Sequence, residues 1–319
     1  MADQRIDKHT GFYLSGGAAA TESTDRQFRR ESQFGRSAVR LRRGVFTTTE
    51  HWGLLTPRQR YLAEIRAVVA TRLGDPLISH QSAAALWGIP LDEAWPSTVH
   101  VLAPPQSRAR SKNGVTVHRS HVLDADVVDV DGMLVTSPAR TLLDLARTTS
   151  FATAVVAIDH ALNPRSASPE VFLTEAVLRE KLLESRSPRG LVRAERAIGF
   201  ARPDADNPGE SLSRVAIFEL GFPEPLLQTC HPNPRGGFYF TDFEWPAYRL
   251  IGEFDGQGKY LKDEYLRGLT PGEAVAREKV REEDLRSEGN GMARWGPADV
   301  RDRRSLLRIL TTAGLPLRR

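Results

Sequence analysis

The chain has 319 residues, 40% hydrophobic and 26% charged. That is the composition of a folded protein, and since single cores stop growing near roughly 250 residues, of more than one domain. No apolar run approaches the roughly 18 residues a membrane helix needs and Met1 to His9 is polar, so neither a membrane partner nor a secretory signal is expected and the chain is read as cytoplasmic.

Cys230 is the only cysteine, which excludes an internal disulfide and any cysteine-rich zinc site. The net charge of +4 conceals an uneven distribution: Asp25 to Phe46 holds seven arginines against two acids, a local +5. In this stretch Thr24 and Gln27 stand at capping-box spacing, predicting a helix through Phe34 that stops at Gly35, with Phe28 buried and Arg26, Arg29 and Arg30 projecting. Ala38 to Phe46 alternates apolar with basic residues, Arg40, Arg42 and Arg43 among them, as a hairpin with a tight Arg43-Gly44 turn would. A basic helix followed by a basic hairpin is the layout of a winged helix on DNA, so residues 1–48 are assigned as a DNA-binding unit; a merely solvated arginine face is the alternative.

Residues 49–200 read as a mixed α/β scaffold. Ser79 or Ser82 caps a helix ended by Gly88; Val99 to Leu102 and Val115 to His118 are short strands; a strand and helix fill Gly132 to Arg147; helices are expected in Phe151 to Asn163 and Pro169 to Ser185. Arg140 and Asp144 are spaced for an ion pair on one helix. His118 and His121, the closest histidines, fall in a strand and turn and read as structural, a metal site being the lesser alternative. The basic loop Arg108 to Lys112 reads as solvated, with contact to a nucleic-acid backbone as the alternative. Here the sequence resembles the AbiEi family of antitoxin-like proteins over roughly residues 10–200. The resemblance is carried by Arg40-Leu-Arg-Arg-Gly-Val-Phe46, Ser79-His-Gln-Ser-Ala-Ala-Ala-Leu-Trp-Gly88 and Val135-Thr-Ser-Pro-Ala-Arg-Thr-Leu-Leu-Asp-Leu-Ala146. It implies a winged helix joined to a second domain, repression of the protein's own promoter and a toxin as partner.

Residues 201–319 carry the chemistry. Asn207-Pro-Gly-Glu210 opens a helix buried through Leu212, Val215, Ala216 and Leu220, and Glu210 serves either as its capping acid or as an auxiliary site carboxylate. Phe238 to Trp245 and Leu250 to Gly256 are strands joined by Pro246-Ala-Tyr-Arg249, and pairing Trp245 with Leu250 sets Asp242 opposite Glu253, with Asp255 on the same side. Two carboxylates that close repel unless a cation stands between them, so Asp242, Glu253 and Asp255 are candidate ligands for Mg²⁺ or Mn²⁺. Edge-strand charges against aggregation are the competing reading, which Glu244 fits. A helix follows Thr270-Pro-Gly-Glu273, its mixed charge reading as a solvated face, with phosphate contact by Lys279 and Arg281 as the alternative, and a single last helix is expected over Pro297 to Gly314.

Over roughly residues 205–315 the sequence resembles the PD-(D/E)xK nuclease superfamily, most nearly its very-short-patch-repair-like branch. The matching residues are Asp242-Phe-Glu-Trp245, Arg249-Leu-Ile-Gly-Glu-Phe-Asp-Gly256, the helix from Arg277 to Gly289 and Met292-Ala-Arg-Trp295. The resemblance makes Asp242 and Glu253 metal ligands and Glu210 a helix-borne auxiliary acid. Asp255 stands where the superfamily has lysine, leaving Lys259 or Lys262 to reach back. The expected fold is mixed α/β in three parts: winged helix, AbiEi-like scaffold and restriction-endonuclease-like domain. The expected function is a Mg²⁺-dependent DNA endonuclease, with a non-catalytic antitoxin-type transcriptional regulator as the alternative.

Overall fold

The computed structural model describes residues 12–14, 22–33, 37–72, 74–256 and 270–318. The fold is mixed α/β, and the chain divides into two compact units: Met1–Ser150 with Leu173–Ile198, and Phe151–Phe172 with Gly199–Arg319.

In the first unit, helix Glu22–Gln33 packs Phe28 between Tyr13 and Phe46, the ring centroids 4.6 and 5.9 Å away. Strands Tyr13–Leu14, Val45–Thr48 and Ala38–Arg42 form an antiparallel sheet in that order. Its tight turn is made at Gly44, whose φ of +82° glycine alone adopts without cost. The helix begins two residues before Thr24, so Thr24 lies in the first turn instead of capping it. No helix precedes it among the described residues, so the first helix of a helix-turn-helix is not in view.

A five-stranded mixed sheet follows, ordered Val115–Arg119, Val99–Ala103, Leu77–Ile78, Met133–Thr136, Val127–Val130. Its apolar side chains share one core with Tyr61, Ile65 and Val68 of helix Pro57–Thr71 and with Ala83 and Ala85 of helix His80–Trp87, which Gly88 ends in the left-handed conformation (φ +76°). Helix Pro138–Thr148 is buried from Pro138 to Ala146. The helix expected over Pro169 to Ser185 is shorter, Glu175–Leu183, since residues 169–171 form a turn.

The second unit holds a four-stranded sheet, ordered Gly291–Trp295, Leu250–Phe254, Phe238–Trp245, Leu226–Pro232, with the first pair parallel and the others antiparallel. Helix Pro208–Glu219 lies against helix Phe151–Leu162 and the Leu250–Phe254 strand. Phe243, Trp245, Phe254, Trp295, Leu306 and Leu310 fill the core. Two glycines set how closely these layers approach. A Cβ on Gly209 would lie 2.0 Å from the Phe254 ring, and one on Gly252 would lie 2.5 Å from Trp295.

The strand from Leu250 ends at Phe254 instead of Gly256, and Pro246–Tyr248 is a 3₁₀ turn. The last helix is two, Pro297–Arg301 and Arg303–Thr312, because Asp302 turns extended between them and its side chain accepts a hydrogen bond from Arg304 N (3.1 Å). No helix among the described residues is long and apolar enough to cross a membrane.

Candidate functional site

Trp245 pairs with Leu250 and Phe243 with Gly252, the register that places Asp242 level with Glu253. Both belong to the two inner strands of the sheet, so they are not edge-strand charges. Glu210 comes from the first turn of helix Pro208–Glu219, which the missing Cβ of Gly209 allows to settle on Phe254. Glu210 and Glu253 are each only 3% exposed.

Burial, then the charge of Asp242, pushes the Glu210 carboxyl up to about 8. The same two causes in the same order push Glu253 up to about 7, with Arg281 opposing them. Asp242 is therefore near enough to act on both, and three acids from one helix and two strands converge.

Each acid is nonetheless answered by protein donors. Glu210 Oε2 accepts from Asp206 N (2.8 Å) and Gln228 Nε2 (3.1 Å), and its Oε1 accepts from Asn207 Nδ2. It does not reach back to the N–H of the cap residue Asn207, whose own oxygen takes Gly209 N and Glu210 N, so the plain capping-box role is not the one it plays. Asp242 Oδ2 accepts from Phe254 N (2.8 Å). Glu253 Oε1 accepts from Arg281 Nη2 (2.8 Å), which also donates to the Phe240 carbonyl. Asp255 turns to Arg294 (3.3 Å), and Glu244 is held by His231 (3.1 Å).

Among the described residues no three His, Cys, Asp or Glu side chains are grouped so as to hold a metal ion. With Glu253 matched by the Arg281 guanidinium and Asp255 by that of Arg294, the donor set as arranged does not fit Mg²⁺ or Mn²⁺. Lys259 and Lys262 lie outside the described residues. The cation beside Glu253 is Arg281, from helix Pro271–Ser287.

Gln228 is the site residue that sequence reasoning missed. Its φ of +48° is one that a non-glycine residue holds only at a cost of about 1–3 kcal/mol, and from there its amide reaches Glu210. The strand that carries it, Leu226–Pro232, also escaped the sequence reading; its burial does not alternate cleanly, so no period-2 signal marks it.

In the first unit Arg26, Arg29, Arg30, Arg40 and Arg43 are exposed on the basic helix and hairpin, while Arg42 is half-buried and donates to the Asn113 carbonyl (2.9 Å). His118 stands apart from His121 and instead stacks on His80 (centroids 3.6 Å), with its Nε2 3.1 Å from His100 Nδ1. Burial first, then neighbouring charge, holds His80 well below the usual histidine range and His100 down at about 4, so the cluster packs as neutral rings.

Sequence comparison matches residues 77–200 to the AbiEi antitoxin C-terminal domain. Two relatives, "Uncharacterized protein MT2308" and "Uncharacterized protein Rv2248" of Mycobacterium tuberculosis (strains CDC 1551 / Oshkosh and ATCC 25618 / H37Rv), are each 31% identical over 189 residues. That alignment spans 57% of this chain and 65% of each relative, just under two thirds of their length. A solved structure, that of RV2827C protein from Mycobacterium tuberculosis, is 16% identical and covers 59% of this chain and 68% of that one, with a TM-score of 0.35, too low to carry an argument. What the comparisons establish is an AbiEi antitoxin C-terminal domain at residues 77–200, a span that holds the stacked histidines and leaves out the three convergent acids.

Proposed function

We propose that this chain is a DNA-binding regulator of the antitoxin type, acting in a toxin–antitoxin system with a toxin protein as its partner. The match of residues 77–200 to the AbiEi antitoxin C-terminal domain carries this reading. The exposed guanidiniums of Arg26, Arg29 and Arg30 on a helix anchored by Phe28, beside Arg40 and Arg43 on the hairpin, support contact with a phosphate backbone.

A second reading, a Mg²⁺- or Mn²⁺-dependent endodeoxyribonuclease, is favoured by one observation: Glu210, Asp242 and Glu253 converge from a helix and two inner strands. It requires the cation beside Glu253 to be exchangeable, since Arg281 holds that carboxylate now.

One titration separates the two. The chain is mixed with duplex DNA from its own promoter at rising salt, in EDTA, and with supercoiled plasmid plus Mg²⁺ or Mn²⁺. The regulator reading expects metal-independent binding whose salt slope flattens by about 0.9 for each phosphate no longer neutralised when Arg30, Arg40 and Arg43 become alanine. It also expects no nicking. An unchanged slope removes the basic helix and hairpin from the interface. Nicking that disappears in both Asp242→Ala and Glu253→Ala installs the nuclease reading.

A further inference from the structure

Strands Val99–Ala103 and Val115–Arg119 are parallel neighbours, so Pro104 to Gly114 must run back the length of a strand before the second begins. The chain does this as a strap laid antiparallel beside Val115–Arg119, the edge strand of its sheet. Arg119 donates from Nε to the Ser107 carbonyl (3.1 Å) and from Nη2 to that of Ala109, and Ser111 Oγ accepts from Val117 N (3.0 Å). Lys112 and Val115 exchange backbone hydrogen bonds (3.1 and 3.2 Å) across Asn113-Gly114, whose φ of +53° and +72° are those of a two-residue hairpin turn.

That anchoring decides which side chains face solvent. Ala109 packs against the sheet core, while Arg108, Arg110 and Lys112 are exposed. Positions two apart on an extended chain are about 6.6 Å apart, so the three cations form a row about 13 Å long. Pro104 to Gly114 contains no acid, and among the described residues none of the three is ion-paired. Like charges fixed in a row repel one another, and a polyanion laid along them relieves it.

The tip of the strap meets the basic hairpin. Arg42, the last residue of strand Ala38–Arg42, donates from Nη1 to the Asn113 carbonyl (2.9 Å), so the row starts beside the hairpin that carries Arg40 and Arg43. A further cation stands at the same junction. Burial first, then the charge of Arg72, lowers the pKa of Arg42, and Arg72 is the residue that ends helix Pro57–Thr71. Helix end, hairpin and strap thus bring positive charge together from three separate stretches of the first unit.

We propose that Arg108, Arg110 and Lys112 form a second contact to the backbone of duplex DNA, continuing the cationic surface of Arg40 and Arg43 onto the AbiEi antitoxin C-terminal domain. At about 3.4 Å of helix axis per phosphate, a row about 13 Å long spans about four phosphates of one strand. Such contacts fix affinity and register and carry no base preference, so the strap lengthens the site without reading it. This contact rests on the regulator reading, which supplies the DNA.

The test is duplex promoter DNA titrated with the full chain at rising salt in EDTA, together with hydroxyl-radical footprinting. The native chain is compared with Arg108→Ala/Arg110→Ala/Lys112→Ala and with Arg301→Ala/Arg304→Ala/Arg308→Ala, which removes three exposed arginines of the second unit instead. The strap variant is expected to flatten the salt slope by about 0.9 for each lost phosphate contact, up to about 2.7, and to lose protection at one end of the footprint only. The second variant is expected to keep the native slope. An unchanged slope and footprint in the strap variant overturn the proposal, and so does an equal flattening in both variants, which reports net charge alone. If Arg30→Ala/Arg40→Ala/Arg43→Ala flattens the slope and the strap variant does not, the regulator reading stands without the strap. A native chain that binds no DNA removes both. The replaced side chains are all exposed, so the variants keep the native fold, which their melting temperatures check.

Discussion

Glu210 and Glu253 are acids kept in a place that disfavours their charge. Their carboxyls titrate higher in the folded chain, near 8 and 7, than the ordinary 4.5 of an unfolded one. A group whose pKa is raised by folding contributes its stabilisation in full below the unfolded value and loses it as pH rises through the folded value. The second unit is therefore expected to weaken between about pH 5 and 8. Thermal unfolding at pH 6 and pH 8.5 checks this: the melting temperature falls in the native chain and falls less in Glu210→Gln, which cannot ionise. Equal drops in the two proteins would rule out Glu210 as the source. Arg281 makes the same point from the other side. It is a surface helix residue by sequence, one more charge in a run of mixed sign, and only the fold aims it at Glu253.

The parts of this protein that were legible in its sequence are those with a local cause. The Trp245–Leu250 register followed from hairpin counting, and Gly44 and Gly88 marked their turns because both adopt positive φ. Phe28 betrayed its helix by being apolar among arginines. What was hidden depends on residues distant along the chain. Asp302 breaks a pattern that reads as one continuous helix, and Gln228 is a site residue only because its positive φ in the strand Leu226–Pro232 brings its amide to Glu210. The pairing of His118 with His80 and His100 joins two strands and a helix, which spacing cannot reveal.

Gly209 belongs at this scale too. Alanine inside a helix is favoured over glycine by about 1 kcal/mol, yet here the new methyl would meet the Phe254 ring at 2.0 Å. Overpacking of that kind costs about 1–3 kcal/mol, so Gly209→Ala is expected to lower the urea midpoint while leaving its slope unchanged. A higher midpoint would mean that the helix does not lie against Phe254 as described.

At the scale of the molecule, the second unit is not a continuous stretch of chain. Helix Phe151–Leu162 belongs to it and packs on helix Pro208–Glu219, locked by Arg214, which donates to Asp159 Oδ2 at 2.8 Å with both side chains 1% exposed. Removing one member of so buried a pair costs about 3–5 kcal/mol, because the other charge is left stranded. A fragment of residues 201–319 is accordingly expected to aggregate on expression, whereas one of residues 151–319 stays soluble with a cooperative unfolding transition; a soluble, cooperatively folded shorter fragment would show that helix Phe151–Leu162 is dispensable. The interleaving also bears on biosynthesis. Residues 151–162 leave the ribosome roughly fifty residues before the helix that covers them, a wait of several seconds at about 5–20 residues per second. During that interval helix Phe151–Leu162, which carries Val155, Val156 and Ile158 among its buried residues, lacks the helix it packs on, which makes this nascent segment the natural place for a holdase chaperone to engage.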